Sequence, residues 1–167
     1  NSISVVIPVY NGEKSLYELH RRLSAFLESS CKDYEIIMID DGSIDNSYMK
    51  MCRLHEVDNR VKAIGLDGNF GQQNAIMCGL RHAKYEAIVT MDDDLQHPPE
   101  EIIKLLNELE QGYDVVYGVP ENKKHNFYRN IGTRLTDMMF NIICKKPKEI
   151  RVSSFRDRKS TRLNSSH

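Results

Sequence analysis

Three consecutive carboxylates, Asp92–Asp94, follow the apolar segment Ala87–Met91. In extended backbone the side chains alternate, which predicts that Asp92 and Asp94 point one way and Asp93 the other. Two carboxylates that face one spot repel each other unless a cation lies between them. Oxygen ligands favour Mg²⁺ or Mn²⁺, ions that usually keep coordination positions for substrate phosphates. The triplet therefore predicts a divalent metal site, and the alternative is a set of solvated turn and helix-cap residues.

Two more polar groups follow β-branched, apolar segments in the same manner. Tyr10, Asn11 and Gly12 come after residues 4–8, and Asp40–Ser43 come after residues 34–39. The adjacent carboxylates of Asp40 and Asp41 can accept hydrogen bonds from the N–H edge of a pyrimidine or from ribose hydroxyls. The alternative is a tight turn in which Gly42 supplies a positive φ angle.

The elements that must position these groups follow from apolar periodicity. Predicted strands cover residues 4–8, 34–39, 61–66, 87–91 and 114–118, and predicted helices cover 13–30, 45–55, 71–83, 99–111 and 127–144. Apolar strands that alternate with helices predict an α/β domain with a mostly parallel sheet flanked by helices on both faces. Ligands of such sheets bind beyond the carboxyl ends of the strands, where all three polar groups are expected to meet.

Composition and missing motifs exclude several classes of function. The chain has 167 residues, is 40% hydrophobic and carries a formal charge of −1, values that fit one globular domain and argue against nucleic-acid binding. No apolar run has the length of a membrane span. The dinucleotide-binding, P-loop and nucleophile-elbow motifs are absent from the sequence.

Five ordered motifs carry a resemblance to a known family. They are Ser4–Asn11, Asp40–Ser43, Asn69–Ala75, Met91–Pro99 and Tyr113–Gly118. In this order they resemble the inverting family 2 glycosyltransferases, which have the GT-A fold. Among these, the sequence is most similar to the branch of dolichyl-phosphate mannose synthase and the bacterial polyprenyl-phosphate sugar transferases. The resemblance covers roughly residues 3–156.

The resemblance implies roles for individual residues. Asp92 and Asp94 match the catalytic D-x-D pair, with Asp94 holding Mg²⁺ or Mn²⁺ on the diphosphate and Asp92 nearer the ribose or the metal. Gln96 would complete the metal coordination. The implied nucleotide-binding residues are Pro8, Val9, Tyr10, Asn11, Asp40, Asp41, Asn69, Gln73, Asp92, Asp93 and Arg129. Gly68 departs from the pattern, because many relatives carry Arg before the Asn-Phe-Gly sequence.

The implied reaction is the transfer of a hexose from a UDP- or GDP-sugar to an acceptor, with inversion. A polyprenyl phosphate is the favoured acceptor, because it is anionic at pH 7 and needs no general base, and no motif offers one. Lys123, Lys124 and Arg134 lie near the start of an apolar stripe on the predicted helix 127–144. That pattern predicts contact with an anionic membrane, at the cytoplasmic face, although a helix packed on the sheet has the same pattern. Self-association to a homo-oligomer is a further expectation.

The C-terminal residues 157–167 are polar and without period, and resemble translated linker sequence. We therefore expect a catalytic domain over residues 1–156 with a complete donor half and a truncated acceptor half, followed by a non-native or disordered tail. Two alternatives remain open. One is a fragment that binds donor without transfer. The other is a Mg²⁺-dependent phosphotransfer domain, which is disfavoured because no Lys follows the predicted fifth strand at Gly118–Pro120.

Overall fold

The computed structural model describes residues 2–117 and 142–145. The strands are β1 (Ser2–Val9), β2 (Asp33–Asp40), β3 (Val61–Gly65), β4 (Ala87–Thr90), β5 (Val115–Tyr117) and β6 (Ile142–Lys145). The helices are α1 (Leu16–Ser30), α2 (Ser47–Val57), α3 (Gln72–His82) and α4 (Ile102–Glu110), the last preceded by a 3₁₀ turn at Pro99–Glu101. None of the helices in this part of the chain is long and apolar enough to span a bilayer.

The six strands form one sheet in the order β3-β2-β1-β4-β6-β5. β1 to β4 pair in parallel, whereas β6 runs antiparallel to both β4 and β5. The register places Val9 beside Asp40, so that the chain leaves β1 and β2 side by side at the carboxyl edge of the sheet. The predicted mostly parallel α/β sheet is therefore confirmed.

Helices cover both faces of the sheet because every central strand is apolar on both sides. Val5, Ile7 and Val9 pack in one buried cluster with residues of α1, α2 and α4. Val6 belongs to a second cluster, on the opposite face, which contains Ala75 of α3. The alternation of neighbouring strand residues between the two clusters follows from the two-residue period of extended backbone.

The predicted helix over residues 127–144 is wrong at its C-terminal end. Ile142–Lys145 form β6, which fills the gap between β4 and β5. A short apolar run fits a helix stripe and a buried strand equally well, and the two β-branched residues Ile142 and Ile143 favour the strand. Residues 127–141 of that prediction, with Arg129, lie outside the described residues, as do Lys123 and Lys124 and the expected boundary at residue 156.

A buried polar cluster joins the amino ends of the parallel strands. The Glu35 side chain is buried, and its Oε1 accepts hydrogen bonds from Ser4 Oγ at 2.6 Å and from the Lys84 N–H at 2.5 Å. Its Oε2 lies 2.7 Å from Lys62 Nζ, and Ser4 Oγ also accepts the Tyr85 N–H at 3.1 Å. One carboxylate thereby connects β1, β2, β3 and the segment that enters β4.

Helix α3 approaches the sheet closely at Gly79. A Cβ atom there would overlap the Val6 side chain and lie 2.8 Å from Ile39 Cδ1. We expect Gly79→Ala to lower the free energy of unfolding by about 1–2 kcal/mol, because crowding of the core outweighs the gain in helix propensity. Urea unfolding measures this change, with Gly68→Ala as the control, since among the described residues a Cβ at Gly68 meets only the Phe70 ring, at 3.7 Å or more. Equal stability of the two variants would contradict the prediction.

Candidate active site

Four strand-end loops meet at the carboxyl edge of the sheet and enclose a cavity of about 330 Å³. Its lining residues are Pro8 and Val9 at the end of β1, Tyr10 after β1, Asp41 after β2, Asn69, Gly71 and Gln72 before or at the start of α3, and Asp92, Asp93 and Asp94 after β4. Eight of these ten were predicted as site residues from the sequence. A cavity of this size, with convergent polar groups, is typical of a small-molecule site.

Four other predicted site residues do not line this cavity. The Asn11 side chain accepts a hydrogen bond from the Ile44 N–H at 2.9 Å, and buried Asp40 accepts one from the Ser43 N–H at 3.2 Å. The side chains of Gln73 and Gln96 are exposed outside the lining. Asn11 and Asp40 therefore shape the loops around the cavity, and the roles implied for all four stay predictions.

The loops after β1 and β2 hold each other through reciprocal hydrogen bonds. The Asn11 N–H donates to Ser43 Oγ at 2.9 Å, while the Asn11 carboxamide oxygen accepts from Ile44. The Glu13 N–H donates to Asp45 Oδ2 at 3.1 Å, and Glu13 Oε2 in turn accepts two hydrogen bonds from Asn46 at 3.0 Å. We call this set of contacts, made by residues 11, 13 and 43–46, the loop clasp.

Asp41 and Gly42 fix the third loop against the second. Asp41 is buried and its Oδ1 accepts the Phe70 N–H at 2.8 Å. Gly42 has a φ of +72°, and a Cβ there would lie 2.5 Å from the carbonyl carbon of Gly68. Only glycine fits this left-handed backbone pressed against another backbone, so the turn predicted at Gly42 is also a packing requirement.

The aspartate triplet departs from the alternation expected of a strand. β4 ends at Thr90, so the triplet lies beyond the strand, and all three residues line the cavity. Leu95 has a φ of +61°, which turns the chain so that the Gln96 N–H donates to Asp94 Oδ1 at 3.0 Å. Backbone in this region is uncommon for a residue with a side chain, and such strain often occurs at functional sites.

Burial and mutual repulsion raise the pKa values of two of these carboxyl groups. Burial raises the pKa of Asp92, and the charge of Asp94 adds to this effect, whereas His97 and the hydrogen bond from Gln72 oppose it. Burial is also the main cause that raises the pKa of Asp93 to about 6, with smaller contributions from the charges of Asp92 and Asp94. Asp93 Oδ2 is buried against Gly12 and has no hydrogen-bond partner among the described residues.

The donor set fits a hard divalent cation that is shared with a substrate. Asp92 and Asp94 both line the cavity, the charge of Asp94 raises the pKa of Asp92, and a cation between them would relieve this repulsion. Within residues 2–117 and 142–145, no three His, Cys, Asp or Glu side chains form a cage for a metal ion. Mg²⁺ is typically held by one or two carboxylates together with substrate phosphates, and Mn²⁺ also prefers oxygen ligands. The arrangement suits such a shared ion.

Sequence reasoning missed Gln72, which lines the cavity and donates from Nε2 to Asp92 Oδ1 at 2.7 Å. It named Gln73 instead, the next residue. The two glutamines are indistinguishable by type, and only the position at which α3 begins directs the first of them towards Asp92.

Two larger cavities lie at the opposite edge of the sheet. They measure about 560 and 410 Å³ and adjoin the amino ends of β1 and β2, with Lys84 and Tyr85 in the wall of both. Size alone would favour them, but ligands of parallel α/β sheets bind at the carboxyl ends of the strands. The aspartate triplet also lies at that end, so the smaller cavity is the candidate site.

Comparison with known proteins identifies the family. Two crystal structures of residues 1–349 of S. aureus TarS are similar to this chain, both with a TM-score of 0.58. The first is 23% identical and matches 72% of this chain, and the second, a complex with UDP-GlcNAc, is 21% identical and matches 78%. This chain spans 39% and 37% of those chains. At such identities the likeness supports the fold alone. The sequence profile described as "Glycosyl transferase family 2" matches residues 4–163, and the chain therefore belongs to glycosyl transferase family 2.

Proposed function

We propose that this chain carries the donor site of a metal-dependent glycosyltransferase that moves a hexose from a UDP- or GDP-sugar, with inversion, to a polyprenyl phosphate. The observation that carries the proposal is the cavity at the carboxyl edge of the sheet, where the aspartate triplet meets Tyr10 and Asp41. Family membership supplies the class of reaction. The donor, the stereochemistry and the acceptor are part of the proposal.

The walls of the cavity offer complementary chemistry to a nucleotide. Tyr10 is 50% exposed at the rim and offers an aromatic face on which a base can stack. Asp41 lines the same cavity, and its carboxylate is an acceptor for a base N–H or a ribose hydroxyl. We therefore assign the base and ribose to the side of the cavity formed after β1 and β2, with Pro8, Val9 and Asn69 as further contacts.

The aspartate triplet suits the diphosphate. Asp92 and Asp94 would hold Mg²⁺ or Mn²⁺, which when bound supplies a Lewis acid for the charge that develops on the leaving nucleoside diphosphate. The chain's own contribution is to hold the two carboxylates: Gln72 donates to Asp92, and the Gln96 N–H donates to Asp94. Gln96 as a third ligand and Arg129 as a phosphate contact remain predictions.

A phosphate acceptor suits the groups at this site. Its oxygen is already anionic at neutral pH, so attack on the sugar requires no proton removal by the protein. A hydroxyl acceptor would require a general base near the attacking atom. A polyprenyl phosphate would also place the enzyme at the cytoplasmic face of a membrane, where the basic residues 123–124 are proposed to contact anionic lipid.

A second candidate function follows from the length of the match. The chain spans about two fifths of the TarS chains, and all residues that line the proposed donor cavity lie within it. Such a protein would bind nucleotide-sugar and metal but transfer nothing. The two candidates share the donor cavity and differ only in turnover.

Thermal unfolding with a panel of UDP- and GDP-sugars, each with and without Mn²⁺, tests the shared part. We expect donors of one base to raise the midpoint only when Mn²⁺ is present, with a stabilisation of about 2.7 kcal/mol at 100 times the dissociation constant. Incubation of that donor, radiolabelled, with undecaprenyl phosphate in detergent then separates transfer from binding alone. Nuclear magnetic resonance of the product would give the anomeric configuration. The proposal fails if no donor shifts the midpoint under either condition.

A further inference from the structure

Gln72 is placed to control the orientation of Asp92. It is the first residue of α3, its side chain lines the cavity, and its Nε2 lies 2.7 Å from Asp92 Oδ1. The bond joins residues 20 positions apart, and it links the start of α3 to the loop after β4.

From this contact we infer that Gln72 is a positioning residue for the metal-binding carboxylate of Asp92. By holding Oδ1, it fixes the direction in which Asp92 presents its other oxygen to a divalent cation shared with the donor diphosphate. The inference rests on the proposed function, and it adds a residue that was not among the site residues predicted from the sequence and is not a proposed metal ligand.

The backbone that carries Gln72 is held from two sides, so its Cα atom has a defined position. On the side of the sheet, Ala75 is buried and Gly79 packs against Val6. On the side of the cavity, the Phe70 N–H donates to Asp41, and the Phe70 carbonyl accepts from Asn74 Nδ2 at 2.6 Å. The amide therefore extends from a fixed backbone position, which limits how far it can follow Asp92.

The chemistry of the carboxamide suits this position. A carboxamide is a neutral donor, so it orients one carboxylate oxygen without neutralising the charge that attracts a cation. Hydrogen-bond partners behind metal ligands commonly contribute 10–100-fold to metal affinity or activity. A purely structural link between α3 and the loop after β4 would instead contribute to stability in the absence of metal.

The test compares Mn²⁺ affinity between the unsubstituted chain and Gln72→Met, which has a similar length and no donor. Electron paramagnetic resonance of free Mn²⁺ during titration, with saturating UDP and separately with GDP, gives the dissociation constant. We expect Mn²⁺ to bind Gln72→Met 10–100-fold more weakly with the nucleotide that supports binding. Its unfolding midpoint without metal should match that of the unsubstituted chain, because residue 72 is an exposed first-turn position.

Two further variants make the result specific. Gln72→Asn keeps the amide, but its side chain is one methylene shorter and does not reach Asp92 Oδ1 from the same backbone position. It should therefore weaken Mn²⁺ binding as Gln72→Met does. Gln111→Met makes the same substitution at the exposed C-terminal end of α4, away from the cavity, and should bind Mn²⁺ like the unsubstituted chain.

The outcomes separate this inference from the proposed function. If the unsubstituted chain binds Mn²⁺ and Gln72→Met binds it within twofold, the inference is overturned and the proposed donor site stands. The inference is also overturned if each Gln72 variant that loses Mn²⁺ affinity also has a lower unfolding midpoint in metal-free buffer. If the unsubstituted chain binds no Mn²⁺ with either nucleotide, the metal-dependent function and the inference fail together.

Discussion

Asp94→Ala is expected to lower sugar transfer by about 10³-fold, on the order of 4 kcal/mol of transition-state stabilisation. Asp94 lines the proposed donor cavity, and its Oδ1 is held by the Gln96 N–H. Loss of this carboxylate removes half of the two-carboxylate set proposed to hold the cation against the diphosphate. The same substitution should abolish the increase in unfolding midpoint that Mn²⁺ adds to the donor, which gives a readout independent of turnover.

Asp33→Ala is the matched control for this prediction, since Asp33 is an exposed aspartate at the start of β2, at the opposite edge of the sheet. It should keep both the Mn²⁺ effect and the rate of transfer. A rate for Asp94→Ala within tenfold of the unsubstituted chain, or donor binding that EDTA leaves unchanged, would contradict a metal role for Asp94.

Glu35→Ala is expected to lower the free energy of unfolding by about 3 kcal/mol at pH 7, the largest stability effect that we predict. The substitution leaves Ser4 Oγ and the Lys84 N–H without their buried acceptor and removes the carboxylate partner of Lys62, which keeps its hydrogen bond to the His82 carbonyl. The estimate stays at the low end for a buried ion pair because the Lys62 side chain is 43% exposed. Urea unfolding of Glu35→Ala beside Glu108→Ala, an exposed carboxylate on α4, measures the difference.

The contribution of Glu35 should depend on pH in a defined direction. Burial opposes ionisation of Glu35, but Lys62, Ser4 and the Lys84 N–H outweigh it and hold the pKa below the ordinary value of 4.5. A lowered pKa means that this stability is present above about pH 4.5 and is lost as the pH falls through the folded-state value. The stability difference between the unsubstituted chain and Glu35→Gln should therefore shrink in acid. A constant difference from pH 7 to pH 3 would contradict the assignment.

The fold was predictable because its central strands are apolar throughout and its helices show a clear stripe. The predicted strand over residues 34–39 and the observed β2 agree within one residue at each end. The prediction failed at Ile142–Lys145, where the stripe of a helix and the run of a strand coincide. These residues form a strand because they pair between β4 and β5 in the sheet. That pairing is a property of the whole sheet, and the periodicity of a short sequence window does not reveal it.

The site was predictable in its location and less so in its contacts. Strand-end topology was enough to bring Tyr10, Asp41 and the aspartate triplet to one cavity. Asn11 was placed in the lining because of its motif, but its φ of +54° and its bond to Ile44 direct it to the neighbouring loop. The sequence records that a polar residue is present, while loop geometry determines whether it faces a ligand or another loop.

The loop clasp has a consequence for how this surface can diversify. The residues that tie the first two loops together, Asn11 and Glu13 on one side and Ser43 to Asn46 on the other, are not those that line the cavity. Tyr10 can therefore be exchanged for another side chain while the frame that carries it keeps its own bonds. Because different residues tie the loops together and line the cavity, single substitutions in the lining can change the preference among bases or sugars. No destabilised variant is needed as an intermediate step.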